Sequence, residues 1–183
     1  RRAAVSTSWC SRTGTGAPGP SPSAPASGWR GDRCGWSLPG PLDLAVEGAP
    51  AEAAAARLGS AWPTAGGPPT GVRLSVAGSV EGLHLGVDEG HRIALGDGGV
   101  RIDASNQVAA RRAVETVLQL AHGGRLPHGV IQDAPAHPWR GLLVDVCRHW
   151  IGPERLLATI DAMAAVKLDV LHLHLSDDQA FRF

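Results

Sequence analysis

Gly141-Leu142-Leu143-Val144-Asp145-Val146 is followed by Arg148-His149-Trp150, then by Pro153-Glu154, and later by Val170-Leu171-His172-Leu173-His174-Leu175. The first run is apolar nearly throughout, as in a strand of a buried parallel sheet. Pro153 suits the first turn of a helix, where its missing N–H costs nothing, and Glu154 suits the positive end of the helix dipole. Leu156, Leu157, Ile160, Met163, Ala164 and Val166 recur at helical spacing and are expected to form a buried stripe. Strand, helix, strand in this order predicts one right-handed parallel crossover.

Each strand is followed by a polar cluster: Arg148-His149-Trp150 after the first, Ser176-Asp177-Asp178-Gln179 after the second. Parallel α/β folds bind ligands at the C-terminal ends of their strands, so both clusters are expected to open onto one face. An arginine there can fork two hydrogen bonds to adjacent hydroxyls or a carboxylate, and an aspartate can orient it. The alternative is an Arg148–Asp ion pair that ties the strand ends together with no substrate involved. His172 and His174 lie two apart, on one face of the strand. Followed by aspartates, they admit a zinc site and hence a metal-dependent barrel hydrolase, but no third or fourth ligand is identifiable, and hydrogen-bonded interior histidines are commoner. No GxSxG, HExxH, phosphate-binding loop or dinucleotide-binding glycine pattern occurs, and Gly96-Asp97-Gly98-Gly99 reads as a turn.

Working outward, Pro127, Pro135 and Pro138 mark residues 127–138 as a linker unsuited to sheet or helix. Before it, Val108, Ala109, Ala113, Val114, Val117, Leu118, Leu120 and Ala121 outline a helix from about Asn106, stopped by Gly123-Gly124. Leu42–Val46, Gly71–Val76, Leu83–Val87 and Val100–Ala104 alternate as half-buried strands do, with Val72, Leu74 and Val76 on one face; Ala51–Leu58 is helix-prone. These elements predict an α+β domain over 41–134, with the parallel unit occupying 135–183. Residues 1–40, rich in Gly, Pro, Ser, Ala and Arg, bury too little apolar surface to offset their conformational entropy and are expected to be disordered. Trp9, Trp29 and Trp36 have no assigned place in that segment.

Composition sets the outer bounds. The 17 basic and 17 acidic residues balance, without a Lys/Arg block, so no nucleic-acid or anionic-membrane partner is indicated. No run reaches the ~20 apolar residues of a membrane-spanning helix. Cys10, Cys34 and Cys147 form no CxxC pair or zinc spacing, and Cys147 reads as a small buried hydrophobe. The 183 residues are few for a whole (β/α)8 barrel of ~250. Arg1 in place of Met, and Phe181-Arg182-Phe183 directly after a strand, lead us to expect a piece of a longer protein. No signal region is visible, so localisation stays open between secreted, periplasmic and lysosomal types.

His137-Pro138-Trp139-Arg140-Gly141 through Asp145-Val146-Cys147-Arg148-His149-Trp150, Ile160-Asp161-Ala162-Met163-Ala164 through Lys167-Leu168-Asp169, and Leu171-His172-Leu173-His174-Leu175-Ser176-Asp177-Asp178-Gln179 together resemble the opening of the catalytic barrel of glycoside hydrolase family 20, the β-N-acetylhexosaminidases. Asp169 stands where the family usually has asparagine. Residues 41–134 more loosely resemble the α+β domain preceding that barrel, with Ala110-Arg111-Arg112-Ala113 replacing the family's usual glycine and aromatic. The resemblance implies an α+β N-terminal domain followed by the truncated start (strand, helix, strand) of a TIM (β/α)8 barrel. It implies retaining, substrate-assisted hydrolysis of terminal β-N-acetylhexosaminides, with no cofactor and no resident metal.

The resemblance also implies site roles. Arg148 would hold the hydroxyls of the terminal sugar. Asp177, Asp178 and His149 would support the site, Asp177 by pairing with a histidine further along the barrel. Arg140 and Asp145 would be structural members of the first strand, with a role in placing Arg148 left open. The catalytic Asp-Glu pair of the family follows the fourth barrel strand, so no catalytic residue is expected within this sequence, and β-linked N-acetylhexosamine glycans are the expected partners. A non-catalytic sugar-binding module on the α+β domain is a further alternative.

Overall fold

A computed structural model describes residues 36–37, 39–48, 50–82, 84–121, 124–178 and 180–181. They cluster into two compact units, one including residues 88–136 and the described residues up to 81, the other 82–87 and 137 onward.

The first unit contains β1 (Trp36–Ser37), β2 (Leu42–Gly48), α1 (Glu52–Ala61), β3 (Thr70–Val76), β4 (His91–Gly96), β5 (Gly99–Ala104), α2 (Gln107–Ala121), β6 (Leu126–Pro127) and β7 (Gly129–Asp133). Five strands form one mixed sheet in the order β2-β3-β5-β4-β7, parallel across β2/β3 and β3/β5 and antiparallel across β5/β4 and β4/β7. Alternation puts Val72, Leu74, Val76, Ile93, Leu95, Val100, Ile102 and Ala104 on one face. There they pack with Ala54 and Leu58 of α1 and with Ala109, Ala113, Val114 and Val117 of α2. The opposite face carries Arg73, Arg92, Arg101 and Asp103. The two helices are joined by a forked pair, Arg57 Nε and Nη2 donating to Glu115 Oε1 and Oε2 at 2.7 and 3.2 Å.

Asn106 starts α2, its Oδ1 accepting the N–H groups of Val108 at 2.9 Å and Ala109 at 3.1 Å. Asn106→Ala leaves those donors uncapped and is expected to cost about 1 kcal/mol, read as a lowered melting temperature.

Several expectations need correction. Residues 129–133, expected to lie in a linker, form edge strand β7 with His91↔Asp133 and Ile93↔Ile131 in register. The prolines flank this strand, so its ladder N–H groups remain available. Its partner β4 has no counterpart among the expected strands, although His91, Ile93 and Leu95 alternate inward. The strand expected at Leu83–Val87 does not form over 84–87. Gly82 and Gly86 take φ of 74° and 84°, and the Val87 N–H turns back to the His84 carbonyl at 3.4 Å.

Gly96–Gly99 closes the β4–β5 hairpin as the turn chemistry implies. Gly99 sits at φ 100° with the Gly71 carbonyl 2.1 Å from where a Cβ would lie. Of the segment expected to be disordered, 1–35 and residue 38 lie outside the described residues. Its end is ordered, however. Trp36–Ser37 pairs with Leu126–Pro127, and the Gly40 N–H donates to Thr70 Oγ1 at 3.0 Å. Gly123, half of the expected helix stop, is also outside the described residues.

The second unit contains β8 (Gly141–Asp145), α3 (Pro153–Ala165), β9 (Val170–His174) and a short hairpin of β10 (Ser176–Asp177) and β11 (Ala180–Phe181). β8 and β9 run parallel, Asp145 opposite His174. Pro153 occupies the first turn of α3, as expected.

Arg140 closes the unit below the strands. Its Nε donates to the Lys167 carbonyl at 2.8 Å, its Nη1 to the His137 carbonyl at 2.7 Å, and its backbone N–H to Asp169 Oδ1 at 2.8 Å. Asp169 thus accepts bonds from the opening of the strand. The expected buried stripe of α3 is largely uncovered: Met163 is buried, but Leu157, Ile160 and Val166 are exposed, as are Leu142 and Leu143 of β8. Two strands supply too narrow a surface to cover a helix face and both sides of a parallel pair.

Candidate active site

Asp145 is the last residue of β8 and His174 the last of β9. Parallel register brings them side by side, so the segments that follow leave the sheet at one end. Cys147 clasps those segments together: buried, as expected, its Sγ donates to the Ala180 carbonyl of the hairpin at 2.6 Å.

Within this frame Arg148 is gripped on one edge. Its Nε lies 2.5 Å from Asp145 Oδ2 and 3.1 Å from Asp177 Oδ2. Asp177 Oδ2 also meets His174 Nε2 at 3.1 Å, and Asp177 Oδ1 accepts the Asp178 N–H at 2.8 Å. The charges reinforce one another. The Arg148 backbone N–H is the main cause that lowers the Asp145 carboxyl below its ordinary value, and the side-chain bond from the same residue adds to it. The Asp178 N–H and then His174 lower Asp177 in the same way, while Asp145 raises the Arg148 guanidinium. Both carboxylates therefore stay ionised, and the arginine charged, well into mildly acidic solution.

The structure brings Arg148 and Asp177 together as the sequence suggested. Asp178 contributes its backbone N–H, and its side chain is exposed. His149 is exposed and, among the described residues, has no hydrogen bond to this cluster. Two members were underrated. Asp145 contacts Arg148 directly, and the Asp-x-x-Arg spacing at a strand end was the available signal. His174 is the partner of Asp177 in these residues; its side was legible from the strand period, its partner was not. Among the described residues no group of three or more His, Cys, Asp or Glu could hold a metal ion. Adjacent Asp88 and Glu89 lie in the other unit, where Asp88 Oδ1 accepts the Gly90 N–H and Glu89 pairs with Arg112 at 2.6 Å.

Residues 137–183 match the family model described as glycosyl hydrolase family 20, catalytic domain. The chain is also 41% identical over 124 residues to a β-N-acetylhexosaminidase of Cellulomonas fimi, covering 65% of this chain and 24% of that protein. The chain is thus similar to members of glycosyl hydrolase family 20. It is also similar to the N,N'-diacetylchitobiase of Vibrio harveyi, at 38% identity over 95 residues, covering 50% of this chain and 11% of that protein. Its fold matches a mutant β-hexosaminidase of Streptomyces plicatus in complex with its product, N-acetylglucosamine, with a TM-score of 0.64 and 31% identity. That match covers 78% of this chain and 32% of the other. The chain spans about a quarter of the length of the Cellulomonas fimi protein.

Proposed function

We propose that the full-length protein removes terminal, non-reducing N-acetylhexosamine from β-linked glycans, and that Arg148 holds the hydroxyls of that sugar. The observation carrying this reading is the arrangement of Arg148 at the shared end of two parallel strands, gripped at Nε by Asp145 and Asp177. A guanidinium held on that edge presents its remaining N–H groups as a planar fork, which suits adjacent hydroxyls. In this reading β8, α3 and β9 are the first strand, helix and second strand of a (β/α)8 barrel. The five-stranded unit is the α+β domain that precedes it, and Asp177, Asp178 and His149 belong to the supporting side of the pocket.

The reaction is retaining. The acetamido oxygen of the substrate attacks the anomeric carbon as the bond to the leaving oxygen breaks. A glutamic acid protonates that oxygen while a neighbouring aspartate orients the acetamido group, and water then opens the cyclic intermediate. Both acids belong after a fourth barrel strand, beyond the two strands present here. Residues 1–183 supply binding and orientation, and no proton transfer is assigned to them.

Two preparations test this. The full-length protein is expected to release the aryl group from an aryl N-acetyl-β-D-glucosaminide or galactosaminide, whereas residues 1–183 alone give no turnover. A full-length protein inactive on both substrates sinks the assignment. Hydrolysis by residues 1–183 overturns the placement of the acids.

A further inference from the structure

We infer that Asp145 is the residue that positions Arg148 for its sugar, a role that rests on the reading of Arg148 proposed above. Its two carboxylate oxygens divide the task. Oδ1 accepts the backbone N–H groups of Cys147 and Arg148, both at 3.0 Å, and so sets the direction in which the chain leaves β8. Oδ2 accepts Nε of the Arg148 side chain at 2.5 Å and so sets the plane of the guanidinium. One side chain therefore defines both ends of a long, flexible arginine.

This matters because the Arg148 side chain is 59% exposed and packing does little to restrain it. An unrestrained arginine loses much rotamer freedom when it binds, and anchoring it beforehand removes most of that cost. Asp177 assists from the other strand. Its Oδ2 is shared between Arg148 Nε and His174 Nε2, each at 3.1 Å, so its hold on the arginine is the looser one. Both grips fall on Nε, and among the described residues Nη1 and Nη2 form no hydrogen bond, which leaves the two parallel donors for substrate hydroxyls. Asp145 touches no substrate in this arrangement; it acts through Arg148.

Asp145→Asn in the full-length protein separates the two functions of the carboxylate. The amide oxygen can still accept the backbone N–H groups, while the amide nitrogen turns a donor toward Nε. Asp145→Ser, a short acceptor that cannot reach Nε, serves as the second variant should the first not fold. With an aryl N-acetyl-β-D-glucosaminide, either substitution is expected to raise KM about tenfold with a smaller fall in kcat, the pattern of lost ground-state binding. In an Arg148→Ala background the same substitution is expected to change kcat/KM by less than about twofold, because the residue it acts through is gone. Wild-type KM in both variants overturns the inference. So does an equal loss with and without Arg148, which would make Asp145 a purely structural residue. A full-length protein with no hydrolysis at all would instead count against the hexosaminidase reading.

Discussion

Arg148→Ala in the full-length protein is expected to lower kcat/KM for an aryl N-acetyl-β-D-glucosaminide by about 100- to 1,000-fold. Hydrogen bonds from a charged group contribute about 1.5–3 kcal/mol each, and the proposed fork would supply two to one sugar. Their joint loss is less than a simple sum, because water replaces part of what the guanidinium gave; about 3–4 kcal/mol corresponds to the stated range. The substitution also leaves Asp145 and Asp177 facing each other without the cation that Nε places at 2.5 and 3.1 Å from them. Two uncompensated carboxylates at the rim are a second reason for the size of the effect. Arg148→Lys keeps the charge and loses the planar fork, so it is expected to recover only a small part of the activity. Steady-state kinetics with both variants decide the matter. An alanine variant within threefold of wild type would reduce Arg148 to a tie between strand ends.

The largest stability effect is expected in the five-stranded unit. Ile102 is fully buried in β5, with Leu74 of β3 and Ile93 of β4 as its register neighbours. Ile102→Ala removes packed methyl and methylene groups from the middle of the sheet, where neighbours on two strands cannot collapse independently into the space. A loss of about 3–4 kcal/mol follows from comparable core truncations. Arg101, one residue earlier, points to the opposite face with 57% of its side chain exposed. Arg101→Ala removes a solvent-screened pair with Asp103 and is expected to change stability by less than about 1 kcal/mol. Urea unfolding of both variants, followed by circular dichroism, gives the comparison. Similar midpoints for the two would show that the burial pattern of β5 is misassigned.

Those two residues show how far local pattern carries. Alternation along Val100–Ala104 is enough to tell inward Ile102 from outward Arg101, because successive side chains of a strand must point to opposite faces. A nearly continuous apolar run marks β8, and Pro153 with apolar residues at helical spacing marks α3, while the polar residues after β8 and β9 mark where Arg148 and Asp177 stand. A strand's period does not reveal which strand lies beside it. β7 is therefore not legible among its flanking prolines without the matching ladder of β4, and over 84–87 the positive φ of Gly86 replaces the strand that the alternation of Leu83–Val87 implies.

The amino-acid order by itself determined the parallel crossover, the inward face of β3 and β5, and the two strand-end clusters, since each follows from spacing within one element. Only the tertiary structure decided that Asp145 holds Arg148 and that His174 holds Asp177. Those contacts depend on parallel register setting the ends of β8 and β9 side by side, and register is fixed by hydrogen bonds between segments distant in sequence.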